Sequence, residues 1–246
     1  MKYVLSLFAL ILVVNLSQAQ QDSAKKIAKK DWSKVSIANR PKDHFLIQLG
    51  YVNWTKTPDS IATKGLARAF NMYFVLDFPF KTDPRISVAL GAGVGSENQY
   101  FNKTYIDISG SKADKLGFIN KSDTNYFKKY KLNTTYLEAP LELRFTKNPE
   151  NPNKSFKAAL GIKVGTLVSA TTKGKNLLNK NGNTVNGYTE KEKSKRYFNG
   201  TRFTAMGRVG YGIFSLYASY QLNAFIKEGY GPDIRPLQVG ITISGL

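Results

Sequence analysis

From His44 to the C-terminus, apolar and polar residues alternate with a period of two, the pattern of strands that have one apolar face. Eight runs carry it: His44–Trp54, Leu66–Phe80, Arg85–Ser96, Leu132–Thr146, Lys154–Ala170, Thr201–Tyr211, Ile213–Ile226 and Pro236–Leu246. In the second run Phe70, Met72, Phe74, Leu76 and Phe78 fall on one face; in the last, Leu237, Val239, Ile241 and Ile243 do. Most runs are long. Strands of soluble sandwiches average about five or six residues, whereas tilted membrane strands need about nine to eleven.

The opposite face separates a barrel from a sandwich. It carries Gln48, Asn71, Asp77, Glu138, Glu142, Arg144, Lys163, Arg208, Gln221, Asn223 and Gln238, interspersed with glycine and serine. In a closed ring of about eight strands this face points into a lumen just wide enough for side chains to fill. Charges of both signs are then expected to pair there, because a buried charge without a partner is costly. The expected network is Asp77, Glu138, Glu142, Arg144, Lys163 and Arg208.

Connection lengths alternate. Lys81–Pro84, the turn-rich Lys147–Asn153 and Gly212 are short; 55–65, 97–131, 171–200 and 227–235 are longer. Short periplasmic turns facing long extracellular loops are characteristic of outer-membrane barrels. Residues 44–246 are therefore read as an all-β, closed, antiparallel, eight-stranded transmembrane β-barrel with a filled lumen. An even strand number leaves both termini on the periplasmic side.

The N-terminus precedes this pattern. Residues 1–19 contain a basic Lys2, an uncharged apolar run from Tyr3 to Val14, and Ser17-Gln18-Ala19. That is the layout of a secretory signal peptide; cleavage after Ala19 leaves Gln20 first. Residues 20–43 hold seven basic and three acidic residues and read as a basic periplasmic segment. Ala24, Ile27, Ala28, Trp32 and Val35 fall near one side of a helix, with Lys25, Lys26, Lys29 and Lys30 on the other. Such a segment, Trp32 included, can lie on a membrane surface or dock on a partner.

Composition narrows the function. An exported chain is free to form disulfides, yet this one has no cysteine, so something else holds the fold. The formal charge is +19, concentrated in the tail and in segments 97–131 and 171–200. An exported chain meets little nucleic acid, so the expected anionic partners are outer-membrane lipid and lipopolysaccharide phosphates. Ser-His catalysis needs a histidine, and the single one, His44, stands at the start of the first run. Without cysteine and with one histidine, no metal site or cofactor is expected. Asp22-Ser23-Ala24 and Asp59-Ser60-Ile61 resemble the O-glycosylation triplet of Bacteroidetes, with Ser23 or Ser60 as acceptor.

The stretch Asn133–Phe145, with Tyr136-Leu137-Glu138-Ala139-Pro140-Leu141 at its centre, resembles the Tyr-Leu-Glu-Ile-Pro-Leu segment of PorT-family outer-membrane barrels of Bacteroidetes. The Gly-rich third run and Gly161-Ile162-Lys163-Val164-Gly165 are similar too, so the resemblance covers most of 44–246. It implies a non-enzymatic barrel serving as an accessory subunit of an envelope machine, for type IX-like secretion or barrel assembly, with protein partners in that complex. Two alternatives come from other classes: a stand-alone structural or adhesive barrel acting through basic extracellular loops, and, less favoured, a lipid A-modifying enzyme.

Overall fold

In the computed structural model, residues 44–59, 61–110 and 114–245 are described. The signal-like segment 1–19, the basic segment 20–43 with Lys25, Lys26, Lys29, Lys30 and Trp32, and the serines Ser23 and Ser60 lie outside the described residues.

Eight strands close into a ring: β1 (Phe45–Thr55), β2 (Arg68–Pro79), β3 (Ile86–Phe101), β6 (Tyr126–Thr146), β7 (Phe156–Leu178), β9 (Thr201–Tyr211), β10 (Phe214–Gln221) and β11 (Arg235–Ser244). Each pairs antiparallel with its neighbours. β1 meets β11 with Ile47 opposite Ile243, and the β6–β7 ladder completes the circuit. A closed ring leaves no sheet edge within its wall, which is what a hydrocarbon environment demands of backbone N–H and C=O groups. Among the described residues no helix is long and apolar enough to cross a membrane.

The alternation works as expected. Leu49, Phe70, Leu90, Leu141, Leu160 and Leu216 all point outward and are exposed. An apolar band of this extent would be a liability in water and is the natural surface in lipid. The inward face is buried and carries many polar side chains, from Gln48 on β1 to Thr242 on β11, beside a small apolar cluster of Leu46, Tyr73, Val75 and Ala89. The short turns are tight. β9 and β10 are joined by Gly212 and Ile213, with Gly212 at φ 62°, in the left-handed region that glycine enters without penalty.

Three strands were not legible as such: β4 (Thr104–Asp107), β5 (Gly117–Asn120) and β8 (Thr184–Lys193). β4 and β5 form a separate hairpin. β8 pairs with the far half of β7. The ring strands also run further than their alternation indicated. β6 starts at Tyr126 rather than Leu132, and β7 ends at Leu178 rather than Ala170. The cause in β7 is a bulge. Thr135 pairs with Ser169 but Tyr136 with Leu167, so Val168 is the extra residue. Beyond it the buried parity switches from odd to even residues, and a strict period-two reading loses the strand. In the opposite sense, the alternation of the seventh run continues to Ile226, but β10 stops at Gln221.

The long-loop end folds into a second packed body. Trp54, Phe101, Phe198, Phe225, Ile226 and Ile234 belong to one buried cluster there. Ring centroids lie 5.5 Å apart for Trp54–Phe101, 5.3 Å for Trp54–Phe225 and 5.0 Å for Phe198–Phe225.

Candidate functional site

All six residues expected in the lumen are there, and the structure joins them in two layers. Near the short turns, the Glu142 carboxylate accepts from Arg144 Nε at 2.7 Å and from Arg208 at 3.1 Å. Arg144 also lies 3.7 Å from Asp77, which accepts a hydrogen bond from the Ser87 hydroxyl at 2.7 Å. Deeper in, Glu138 is the hub. Lys163 Nζ is 3.5 Å away, the Tyr73 hydroxyl donates to the same oxygen, and Arg202 Nε donates to the other at 3.0 Å. Gly95 and Gly165 make the room, since a Cβ at Gly95 would sit 2.7 Å from a Glu138 oxygen.

Arg202 and Glu97 complete this layer and were missed. Arg202 bridges Glu138 and Glu97, with its guanidinium stacked 4.0 Å above the centre of the Tyr136 ring. Gln238 donates to Glu97 at 2.6 Å and accepts from Asn71 at 3.1 Å. The parity for Arg202 was available, because it shares the even-numbered face of its strand with Arg208. Glu97 lies one residue past Ser96, where the alternation of the third run ends. Lys157, also inward and buried, adds a further cation near the short turns. Asn223 does not belong with them. It lies beyond β10, accepts from the Phe203 N–H and donates to the Thr201 carbonyl, pinning a loop.

These interactions account for the sharpest sequence motif. In β6 Tyr136, Glu138, Glu142 and Arg144 face the lumen, while Leu137, Leu141, Leu143 and Phe145 face out. Pro140 lacks an N–H, and the ladder to β3 skips Pro140 and Ala139 opposite Gly91 and Ala92. The motif builds the lumen. His44 is held by a hydrogen-bonding distance of 3.0 Å from its Nδ1 to the Val75 carbonyl and stacks on Phe74. Among the described residues no group of three or more His, Cys, Asp or Glu is placed to hold a metal ion.

At the long-loop end the connections are tied to one another. The Tyr197 hydroxyl donates to the Gly110 carbonyl at 2.8 Å, the Leu116 N–H to Tyr230 at 2.7 Å, and the Tyr105 and Ser109 hydroxyls to Glu192 at 3.0 and 2.9 Å. Burial and the Glu192 carboxylate hold the Tyr105 phenol above its ordinary pKa. Between the β4–β5 hairpin and the extended β6–β7–β8 sheet lies a cavity of about 290 Å³. Its walls include Tyr105, Tyr126, Phe127 and Tyr188, with Lys103, Lys121 and Glu190 supplying charge. Nothing in the sequence pattern brings these residues together, because the segments that carry them are 97–131 and 171–200 and pair only through the folded sheet.

Residues 45–228 match the family model described as outer membrane protein beta-barrel domain. No curated protein matches the sequence. Among solved structures, the chain is similar to Ail, the attachment invasion locus protein of Yersinia pestis, at 11% identity and a TM-score of 0.34, covering 83% of this chain and 97% of that one. A mutant porin of Rh. blastica is similar at 9% identity and a TM-score of 0.13, covering 82% and 98%. Overlaps this slight say nothing about what this chain binds.

Proposed function

Because this chain belongs to the outer membrane protein beta-barrel domain family, we propose that it is a non-conducting, non-enzymatic outer-membrane barrel that works as a binding platform, with its long-loop end facing the cell exterior and its N-terminus in the periplasm. The carrying observation is the ordered body at the long-loop end, where all four long connections contribute to one buried cluster and cross-loop hydrogen bonds tie them together. A barrel serving only as a lipid-embedded spacer has no need of such a body. Chain parity supports the orientation, since long loops are extracellular in this architecture. Basic loop residues would then stand beside lipopolysaccharide phosphates. The paired lumen charges and the aromatic cluster above them support the absence of a conducting path.

The test uses the absence of native cysteine. Asn181→Cys, in the exposed β7–β8 turn, should react on intact cells with a membrane-impermeant maleimide. Labelling only after the outer membrane is permeabilised would reverse the orientation and end this reading.

A second reading, an accessory subunit of a secretion or assembly machine, draws support from the PorT-like stretch Tyr136–Leu141 and the basic segment 20–43. Stoichiometric recovery with larger envelope proteins in mild detergent would favour it. A lone barrel, under conditions that preserve envelope complexes, would remove it.

A further inference from the structure

The cavity between the β4–β5 hairpin and the β6–β7–β8 sheet is built rather than incidental. Phe127 lies flat against Gly174, where a Cβ would come within 2.5 Å of the ring. Phe127 and Tyr130 are nearly parallel, 13° between planes with centroids 5.9 Å apart, while Tyr188 meets Phe127 edge-on at 71°. The Tyr130 hydroxyl donates to the Ile106 carbonyl and accepts its N–H, so that ring is locked. Lys103, held at φ 48°, places its ammonium 5.0 Å from the centre of the Tyr126 ring.

The chemistry of the lining selects a ligand class. Ring faces are electron-rich and accept either a cation or the polarised C–H face of a saturated ring. The cation position over Tyr126 is already taken by Lys103. Two ammonium groups, Lys103 and Lys121, against one carboxylate, Glu190, leave the lining positive and favour an anion. Glu190, the Asn125 amide and the Tyr126 hydroxyl also call for a ligand rich in hydroxyl groups. A volume of about 290 Å³ lies at the small end of ligand pockets, which run from about 300 to 1,000 Å³. We infer that this cavity binds a short acidic saccharide, one or two pyranose rings bearing a carboxylate, stacked on Phe127 and Tyr188 with its anionic group between Lys103 and Lys121. The inference rests on the outward-platform reading above and supplies its ligand.

The experiment uses the full chain in detergent micelles, titrated with digalacturonate and, as a neutral comparison, galactobiose, by calorimetry and saturation-transfer NMR. Heat-shifted migration on gels confirms that each variant is folded. Digalacturonate should bind saturably and more tightly than galactobiose. Lys121→Gln should weaken it about tenfold, the scale of one charge-assisted hydrogen bond, and erase the preference over the neutral sugar. Tyr188→Ala should weaken both sugars. Lys64→Gln, an exposed lysine on another loop at the same end, should change neither. The proposal falls if digalacturonate does not saturate, if Lys121→Gln and Tyr188→Ala leave binding unchanged, or if Lys64→Gln weakens it equally. It also falls if benzoate occupies the cavity and digalacturonate does not. The Asn181→Cys labelling separates this failure from that of the platform. Labelling from outside with no digalacturonate binding removes the ligand and keeps the platform. Binding without outside labelling removes the platform and leaves a site on the periplasmic side.

Discussion

Arg202 shows how the inside of this barrel is held. Its guanidinium is nearly inaccessible to solvent, bridges Glu97 and Glu138, and stacks on Tyr136. Removing one partner of a buried ion pair is costly, because the other charge stays buried without compensation. Arg202→Met should lower the stability of the barrel by about 3–5 kcal/mol, read from urea unfolding in lipid vesicles. Arg202→Lys should lose less, since charge is kept while the planar two-carboxylate fork and the ring stacking go. An unchanged unfolding midpoint for Arg202→Met would mean the network is not structural. Tyr105 makes a separate, pH-dependent tie to Glu192. Its pKa is raised on folding from the ordinary 10.0, so the folded state holds the proton longer than the unfolded one. The stability it adds is present below about pH 10 and is lost as pH rises through the folded value. Alkaline titration of tyrosinate absorbance should show a late-titrating group that Tyr105→Phe removes.

At the scale of elements, legibility followed from how many faces of a strand are buried. β1, β2 and β11 keep a nearly unbroken apolar outward face, and their alternation identifies them within a few residues. β8 is exposed along nearly its whole length, so neither face carries an apolar pattern and no periodicity marked it. β7 was cut short because the bulge at Val168 flips its parity. The lumen network was half legible. Parity gave the inward face, but Glu97 and the hub role of Glu138 depend on partners from β2, β7 and β9 that only the ring brings together. The aromatic cluster at the long-loop end was not legible at all, since Trp54, Phe101, Phe198 and Phe225 come from four different connections or strand ends. The extended sheet depends on Gly174 in the same non-local way. Gly174→Ala should push Phe127 off its seat, exposing residues 126–130 and the β8 hairpin to protease while the barrel keeps its heat-shifted migration. Protease resistance equal to that of the parent would show that Phe127 does not hold the extension.

The described residues form a barrel closed twice, by paired charge across the lumen and by an aromatic body above it. Four carboxylates, Asp77, Glu97, Glu138 and Glu142, face Arg144, Lys163, Arg202 and Arg208. Single-channel recording in planar bilayers should therefore show no resolved conductance steps, and steps of stable amplitude would mean that the lumen opens.

The binding-platform reading and its ligand depend on the long-loop end being one folded body rather than a set of loose loops. Hydrogen exchange of the purified protein, read by mass spectrometry, measures that directly. Peptides covering 104–108, 126–133 and 171–178 should be protected to the level of the membrane strands. Exchange of these peptides at the rate of free loops, with the ring strands still protected, would contradict it.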